Sequence, residues 1–282
     1  MRSAFAVITC AAFLSSPLAL AQDDSRLNGM IDKLAAGEAV EGVFYNTLDF
    51  NSLRQTARSD LDYIIIDMEH HPFDVTALRQ ALVNLRAADG SFPVTPIVRV
   101  GTNGSEVSSN RWMFKQVLDM GVFGIMVPFV NTADEARDAV IAMRYPPARD
   151  DPQPEPRGLR GWSPGTASAT WGLSSQEYAQ IADLWPLDPQ GELILVAQIE
   201  TAEAIDNLEE IMAVPGVGAL FIGPADLHND MGFLGQSGVA EVEERIQEAL
   251  QKANDADMPI GLTPAGSSLE ERLEQGFRVM TR

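Results

Sequence analysis

Short apolar runs alternate along this chain with segments in which apolar residues recur every three or four positions. Uniformly apolar runs bounded by turn residues are typical of strands in a parallel sheet buried on both faces, and the longer period is typical of covering helices. The pattern predicts strands at residues 42–45, 63–68, 96–100, 124–130, 193–199, 217–222, 259–262 and 277–280. It predicts helices between most of them, for example at residues 75–85, 110–120 and 132–143, and one before the first strand at 25–36.

The order of these elements predicts an α/β protein built as a single (β/α)₈ TIM barrel with an N-terminal helix. A doubly wound open sheet is the alternative, but no G-x-G-x-x-G motif follows an early strand. The sequence ends at Arg282, directly after the last predicted strand, so we expect no complete eighth helix.

One long segment interrupts the alternation. Residues 146–172 are rich in proline, glycine and arginine and show no apolar period. Such composition predicts a long loop. We expect it on the face formed by the carboxyl ends of the strands, where it would overhang the mouth of the barrel.

The first 21 residues resemble a secretory signal peptide. A short basic start precedes an apolar stretch, and Ala19-Leu20-Ala21 matches an A-x-A cleavage site. The only cysteine, Cys10, lies inside this segment. We therefore expect a periplasmic or secreted mature protein of residues 22–282, a single domain with no disulfide, no cysteine nucleophile and no zinc-cysteine site.

The formal net charge of −20 narrows the choice of partners. An acidic protein is repelled by nucleic-acid phosphates and by anionic membrane surfaces, so neither is an expected partner. An acidic small-molecule substrate is still compatible, because local arginines can dominate a pocket.

Two carboxylates follow neighbouring predicted strands. Glu200 comes directly after residues 193–199, and Asp226 comes just after residues 217–222. Parallel strands joined by a helix end on the same side of a sheet, so the two side chains can converge there, next to Gln198 of the first strand. Paired carboxylate oxygens suit a divalent cation such as Mg²⁺ or Mn²⁺. The alternative is that both are solvated loop acids.

A histidine and an arginine join this acid pair on the expected rim. His70 follows the second predicted strand, and Arg99 lies near the end of the third. A metal site, a proton-transfer group and a positively charged side chain held in place are the groups needed for enolate chemistry on an oxoacid.

Several motifs in order resemble one known family, the HpcH/HpaI family of metal-dependent (class II) pyruvate aldolases. The resemblance runs from about Gly42 to the C-terminus. Its carriers are Ile66-Asp67-Met68-Glu69-His70, Ile97-Val98-Arg99, Lys115-Gln116-Val117-Leu118-Asp119-Met120-Gly121, Val127-Pro128, Arg144-Tyr145-Pro146-Pro147, Gly158-Leu159-Arg160-Gly161, Gln198-Ile199-Glu200 and Gly223-Pro224-Ala225-Asp226-Leu227.

The resemblance implies a role for each matching residue. Glu200 and Asp226 would hold the divalent metal, Mg²⁺ or Mn²⁺ first and Co²⁺ as another option. Gln198 and the backbone of Ala225 would contact the oxoacid. His70 would accept a proton, Arg99 would stabilise the enolate, and Asp119 would raise the basicity of the histidine. The position of Asp119 before the fourth strand puts it at the far end of the barrel, unless a neighbouring subunit contributes it.

The implied reaction is cleavage of a 4-hydroxy-2-oxoacid, such as 4-hydroxy-2-oxoheptanedioate, to pyruvate and an aldehyde through a metal-bound enolate. Oxaloacetate decarboxylation is a sister activity, and a homo-oligomer is implied. The chain's lysines, Lys33, Lys115 and Lys252, lie in helical patterns, which disfavours imine catalysis.

Two departures from the family keep an alternative open. Residues 148–157 are inserted where relatives have about one residue, and relatives are usually cytoplasmic. The alternative function is an exported, non-catalytic binding protein for a metal-chelated oxoacid.

Overall fold

Parallel strands close into a barrel in the computed structural model, which describes residues 26–150, 152–153, 155–264 and 266–282. The signal-peptide prediction lies outside this range. The strands are β1 Val40–Tyr45, β2 Tyr63–Asp67, β3 Thr95–Arg99, β4 Gly124–Val127, β5 Leu184–Trp185, β6 Leu193–Ile199, β7 Ala219–Ile222, β8 Ile260–Leu262 and β9 Val279–Thr281.

The sheet closes because β1 pairs with both β2 and β9 and because β4 pairs with β6. The short strand β5 pairs only with the first residues of β6, on the edge of β6 that faces away from β4. The remaining eight strands form the barrel, which confirms the predicted (β/α)₈ fold.

Helices flank the barrel and follow most strands. They are α1 Gly29–Ala35, α2 Phe50–Thr56, α3 Val75–Leu85, α4 Val107–Leu118, α5 Ala133–Met143, α6 Gly165–Trp171, α7 Ser175–Ile181, α8 Ala202–Asp206, α9 Leu208–Met212, α10 Pro224–Asp230, α11 Ala240–Asp255 and α12 Leu269–Gln275, with a 3₁₀ turn at Gly104–Glu106. Among the described residues, no helix is both long enough and apolar enough to cross a membrane.

The strands are apolar on both faces because each faces two apolar layers. In β2, Tyr63 and Ile65 belong to the cluster inside the barrel, whereas Ile64 and Ile66 pack against the outer helices. Side chains alternate between the two faces of a strand, so one strand serves both layers. The continuous apolar runs of the sequence are therefore explained by two-sided burial.

The N-terminal helix α1 closes the amino-terminal end of the barrel. Its apolar residues Met30, Ile31 and Leu34 are buried in the inner cluster. Asn28 caps the helix and donates from its amide to the carbonyls of Phe123 and Glu192, which directly precede β4 and β6. The helix is thereby fixed at the end opposite to the carboxyl ends of the strands.

The long segment after α5 lies at this same amino-terminal end, so its predicted position over the mouth of the barrel is wrong. Helix α5 runs back from the carboxyl end of β4, and the chain that leaves it emerges beside the starts of the strands. Arg144 there forms a two-pronged ion pair with Asp183, whose carbonyl accepts from the first residue of β6. The segment also contains the helix α6, which its composition did not predict.

Arg144 is the main anchor of this segment. Its guanidinium is buried and donates to Asp183 at 2.7 and 2.6 Å and to the carbonyls of Gln153 and Pro156. We expect Arg144→Met to lower the free energy of unfolding by about 3 kcal/mol, because it breaks a buried pair and several charge-assisted hydrogen bonds. Urea denaturation of the purified protein measures this change.

Arg137→Met is the matched control. Arg137 pairs with Asp134 at 3.0 Å on the exposed face of α5. An exposed pair contributes less than about 1 kcal/mol. Equal losses in the two variants would contradict the anchoring role of Arg144.

Candidate active site

The carboxyl ends of β2 and β3 place a carboxylate and a guanidinium side by side. Asp67 and Arg99 are register partners, and Arg99 donates from Nε and Nη2 to the two Asp67 oxygens at 2.9 Å each. The guanidinium also lies over the ring of Phe44, 4.6 Å from its centroid. Arg99 is therefore held rigidly at the rim, as predicted from its position at the end of a strand.

A second carboxylate contacts the same guanidinium. Glu69 Oε2 lies 2.9 Å from Arg99 Nη1, as an ion pair without good hydrogen-bond angles. Burial raises the pKa of Glu69, while the charges of Arg99 and His70 oppose the rise. The contacts of Arg99 with Asp67 and Glu69 involve three of its five N–H groups. The remaining N–H groups can be offered to a ligand.

Glu200 is the most deeply buried acid of the site. Its Oε2 accepts from the backbone N–H of Phe129 at 3.0 Å, and its Oε1 accepts from Gln198 Nε2 at 2.8 Å. Burial above all, and then the charges of Asp226 and Glu69, raise the pKa of Glu200 to about 8, against the Phe129 hydrogen bond and the charge of Arg99. Without a cation, this carboxylate holds its proton at neutral pH.

The backbone around Glu200 is shaped to its side chain. Phe129 adopts a left-handed conformation, with φ of 49°, which is uncommon for a residue other than glycine. Gly223, at the start of α10, has no side chain where a Cβ would overlap Glu200 Oε1. These two positions therefore form a cradle for the carboxylate.

Asp226 lies three residues beyond Gly223, on helix α10, and is half-buried. Its charge raises the pKa of both Glu200 and Glu69, so the three acids face one another closely enough to interact. Ala225, the predicted backbone contact for the substrate, is exposed beside it.

A divalent cation fits this acid group. Acids that raise one another's pKa need either protons or a cation to neutralise them. In the part of the chain that the structure describes, no three His, Cys, Asp or Glu side chains are already arranged as metal ligands. The fit therefore rests on Glu200 and Asp226, with further positions left to water and substrate.

The side chain of Gln198 has a hydrogen-bond acceptor in the site that no described residue uses. Its amide nitrogen is bound to Glu200, but its buried Oε1 has no hydrogen-bond partner among the described residues. Buried polar atoms are rarely left unpaired in proteins. Gln198 is therefore suited to the oxoacid contact that the resemblance implies.

The two adjacent histidines have different surroundings. His70 is 62% exposed, and its Nε2 lies 3.6 Å from Glu69 Oε2. His71 is 36% exposed, and its Nδ1 lies 3.2 Å from Asp67 Oδ2. Asp67 thus contacts Arg99 and His71, not His70.

Asp119 lies away from these groups. It caps the C-terminus of α4, before β4, and its carboxylate accepts from Arg160 Nη2 at 2.9 Å. Burial raises the pKa of Asp119, and Arg160 opposes the rise. Within one chain, the structure does not bring Asp119 to His70.

We expect Gly223→Ala to displace the Glu200 carboxylate and to lower catalytic activity by about a hundredfold, because misplacing a key group by about 1 Å has that effect. Gly165→Ala is the matched control, since nothing lies within 4 Å of a Cβ at that position. Steady-state kinetics of the two variants measure the difference. Equal activities would show that the cradle is not needed.

A profile of the HpcH/HpaI aldolase/citrate lyase family matches residues 41–279. The chain is 34% identical over 229 residues to the hydroxypyruvate/pyruvate aldolase of Roseovarius nubinhibens, covering 81% of this chain and 79% of that protein. It is 34% identical over 250 residues to the 4-hydroxy-2-oxo-heptane-1,7-dioate aldolase of Salmonella typhimurium, covering 88% and 85%.

A solved structure of the same family is also similar to this chain. An HpcH/HpaI aldolase/citrate lyase family protein from Burkholderia cenocepacia superposes with a TM-score of 0.75 at 29% identity. The match covers 90% of this chain and 91% of that one.

Proposed function

This chain belongs to the HpcH/HpaI aldolase/citrate lyase family, and on that premise we propose that it is a metal-dependent aldolase of 4-hydroxy-2-oxoacids. The products are pyruvate and an aldehyde, and the reverse reaction is aldol addition. The observation that carries the proposal is the buried Glu200 carboxylate, which is held by Gln198 and Phe129 and faces Asp226.

Glu200 and Asp226 would hold the divalent cation, with Mg²⁺ or Mn²⁺ preferred by carboxylate oxygens. When bound, such a cation supplies Lewis-acid stabilisation of negative charge on the oxoacid. Gln198 contributes its unpaired Oε1 to the ligand or to ordered water. Ala225, an exposed residue whose backbone would contact the oxoacid, lies at the same edge.

Arg99 stabilises the negative charge that develops on the substrate oxygen during cleavage. The guanidinium is fixed by Asp67, Glu69 and Phe44 before any substrate arrives, so little reorganisation is needed. Its uncommitted N–H groups are the donors for that oxygen.

His70 is the proton-transfer group of the proposal. Its imidazole is accessible at the rim and lies beside Glu69. It would accept the proton of the 4-hydroxyl group as the carbon–carbon bond breaks and return a proton to the pyruvate carbon. The three lysines lie on α1, α4 and α11, outside the barrel strands, which is consistent with a mechanism without an imine.

The names of two relatives indicate the range of substrates to test. One is named for hydroxypyruvate and pyruvate, and another for a seven-carbon hydroxy-oxo-diacid. A panel of 4-hydroxy-2-oxoacids with short neutral, hydroxylated and carboxylated tails should be incubated with the protein and Mg²⁺ or Mn²⁺. We expect stoichiometric pyruvate and aldehyde from at least one member.

The same panel separates an enzyme from a non-catalytic binding protein. Calorimetry with pyruvate and the divalent cation measures binding directly. Binding of pyruvate without release of product from any substrate would reject the aldolase and favour the binding protein. Oxaloacetate belongs in the panel, because its decarboxylation would proceed through the same site.

A further inference from the structure

His71 is a partly exposed residue at the rim of the site that the proposed mechanism does not use. Its imidazole lies beyond Asp67 and contacts that carboxylate, not Glu69 or the acid group around Glu200. It also lines a cavity of about 190 Å³ between the ends of β1 and β2 and the start of α3. The other titratable groups lining this cavity are Tyr45, Asp67 and Asp74.

Asp67 makes four contacts with its two oxygens. Oδ1 accepts from Arg99 Nε and from the Glu69 backbone N–H at 2.9 and 3.1 Å, and Oδ2 accepts from Arg99 Nη2 at 2.9 Å. The fourth contact is His71 Nδ1 at 3.2 Å. An ionised carboxylate offers about four acceptor sites and no donor. These four contacts therefore use its full capacity.

The charge of Asp67 fixes the direction of the fourth hydrogen bond. Burial would raise the pKa of Asp67, but hydrogen bonds and charge from Arg99 bring it below the ordinary value. Asp67 is therefore ionised at neutral pH and can only accept. Nδ1 of His71 must therefore carry a hydrogen, and only Nε2 of the ring can be with or without one.

We infer that His71 is a positioning residue, which fixes the Asp67 carboxylate and through it the guanidinium of Arg99. The inference rests on the proposed function, because the positioned guanidinium is the group that stabilises the developing charge. Without His71, one oxygen of Asp67 loses a lateral donor, and the carboxylate and guanidinium can rotate together away from the productive orientation. A group that acts only by positioning is expected to affect turnover more than substrate binding.

His71→Ala and His71→Gln form the test pair. We expect His71→Ala to lower kcat by about three- to tenfold with KM nearly unchanged, the effect of losing one hydrogen bond to a charged group. The glutamine amide can donate to Asp67, so His71→Gln should recover most of this loss. An unchanged kcat in His71→Ala, or a loss in His71→Gln as large as in His71→Ala, would overturn the inference.

Nitrogen-15 NMR provides a readout that does not need activity. When neutral, the His71 ring should be the Nδ1–H tautomer. The side-chain Nε–H signal of Arg99, assigned with Arg99→Lys, should be sharp in the unmodified protein and broadened in His71→Ala. An Nε2–H tautomer or an unaltered Arg99 signal would reject the positioning role. Absence of pyruvate release from the unmodified protein would instead reject the proposed function.

Discussion

Replacing Glu200 with glutamine is expected to weaken divalent-cation binding strongly and to lower the rate of aldol cleavage by about a thousandfold or more. The amide keeps the shape of the side chain and its contact with Phe129, but it cannot supply the negative charge that a cation needs. Because metal affinity and catalysis depend on the same carboxylate, both should fall together. High Mn²⁺ should restore part of the rate.

Calorimetry with Mg²⁺ or Mn²⁺ and thermal unfolding with and without the cation measure this effect. A ligand at a hundred times its dissociation constant stabilises a protein by about 2.7 kcal/mol. This stabilisation should be seen in the unmodified protein and be absent from Glu200→Gln. Glu203→Gln, an exposed acid on α8, is the matched control. Undiminished metal affinity in Glu200→Gln would remove this residue from the metal site.

The pH dependence of the metal-free protein tests the same carboxylate by another route. Burial raises the pKa of Glu200 from an ordinary 4.5 to about 8. Between these values the folded protein binds a proton that the unfolded chain releases, so stability is full below the lower value and is lost as the pH rises toward 8 and above. The loss attributable to Glu200 is about 5 kcal/mol. The Glu200→Gln protein, freed of metal by a chelator, should not show this part of the decline in stability with pH.

His70→Ala is expected to lower kcat by about 10²- to 10⁴-fold while metal affinity stays nearly intact, because a positioned acid–base group contributes that much to proton transfer. His70 is accessible at the rim, and the carboxylate beside it is Glu69 rather than Glu200 or Asp226, so its loss should not disturb the metal ligands. Single-turnover kinetics measure the loss of turnover in the variant, and calorimetry with the metal measures its metal affinity.

His71→Ala is the informative comparison for His70→Ala. The two residues are adjacent, but one faces Glu69 and the other is bound to Asp67. The larger loss is expected at position 70. Activity within a few-fold of the unmodified protein in His70→Ala would exclude this histidine from proton transfer.

The barrel could be predicted because its strands are buried on both sides. Uniform apolar runs mark such strands in the sequence, and their ends indicate which polar residues meet at one face. Arg99, Gln198, Glu200 and Asp226 were identified in this way. Arg99 and Gln198 lie at the carboxyl ends of strands in the structure, Glu200 directly follows one, and Asp226 lies in the first turn of the helix that follows β7.

Other features could not be predicted from the sequence. The proline-rich segment at residues 146–172 has no periodicity, so its composition indicates a loop but not the end of the barrel on which it lies. Its position follows only from the direction of α5. The partnership of Asp67 with His71 depends on how the chain turns after β2. The cradle around Glu200 depends on the backbone of Phe129 and on the missing side chain of Gly223, which no residue pattern reveals.

The most direct test of the metal-dependent aldolase is pyruvate release from a cleaved 4-hydroxy-2-oxoacid before and after exhaustive chelation. The account predicts that chelation stops pyruvate release and that Mg²⁺ or Mn²⁺ restores it in the unmodified protein. Glu203→Gln should behave in the same way, whereas Glu200→Gln should respond only weakly. Full pyruvate release by the chelated protein would contradict the account.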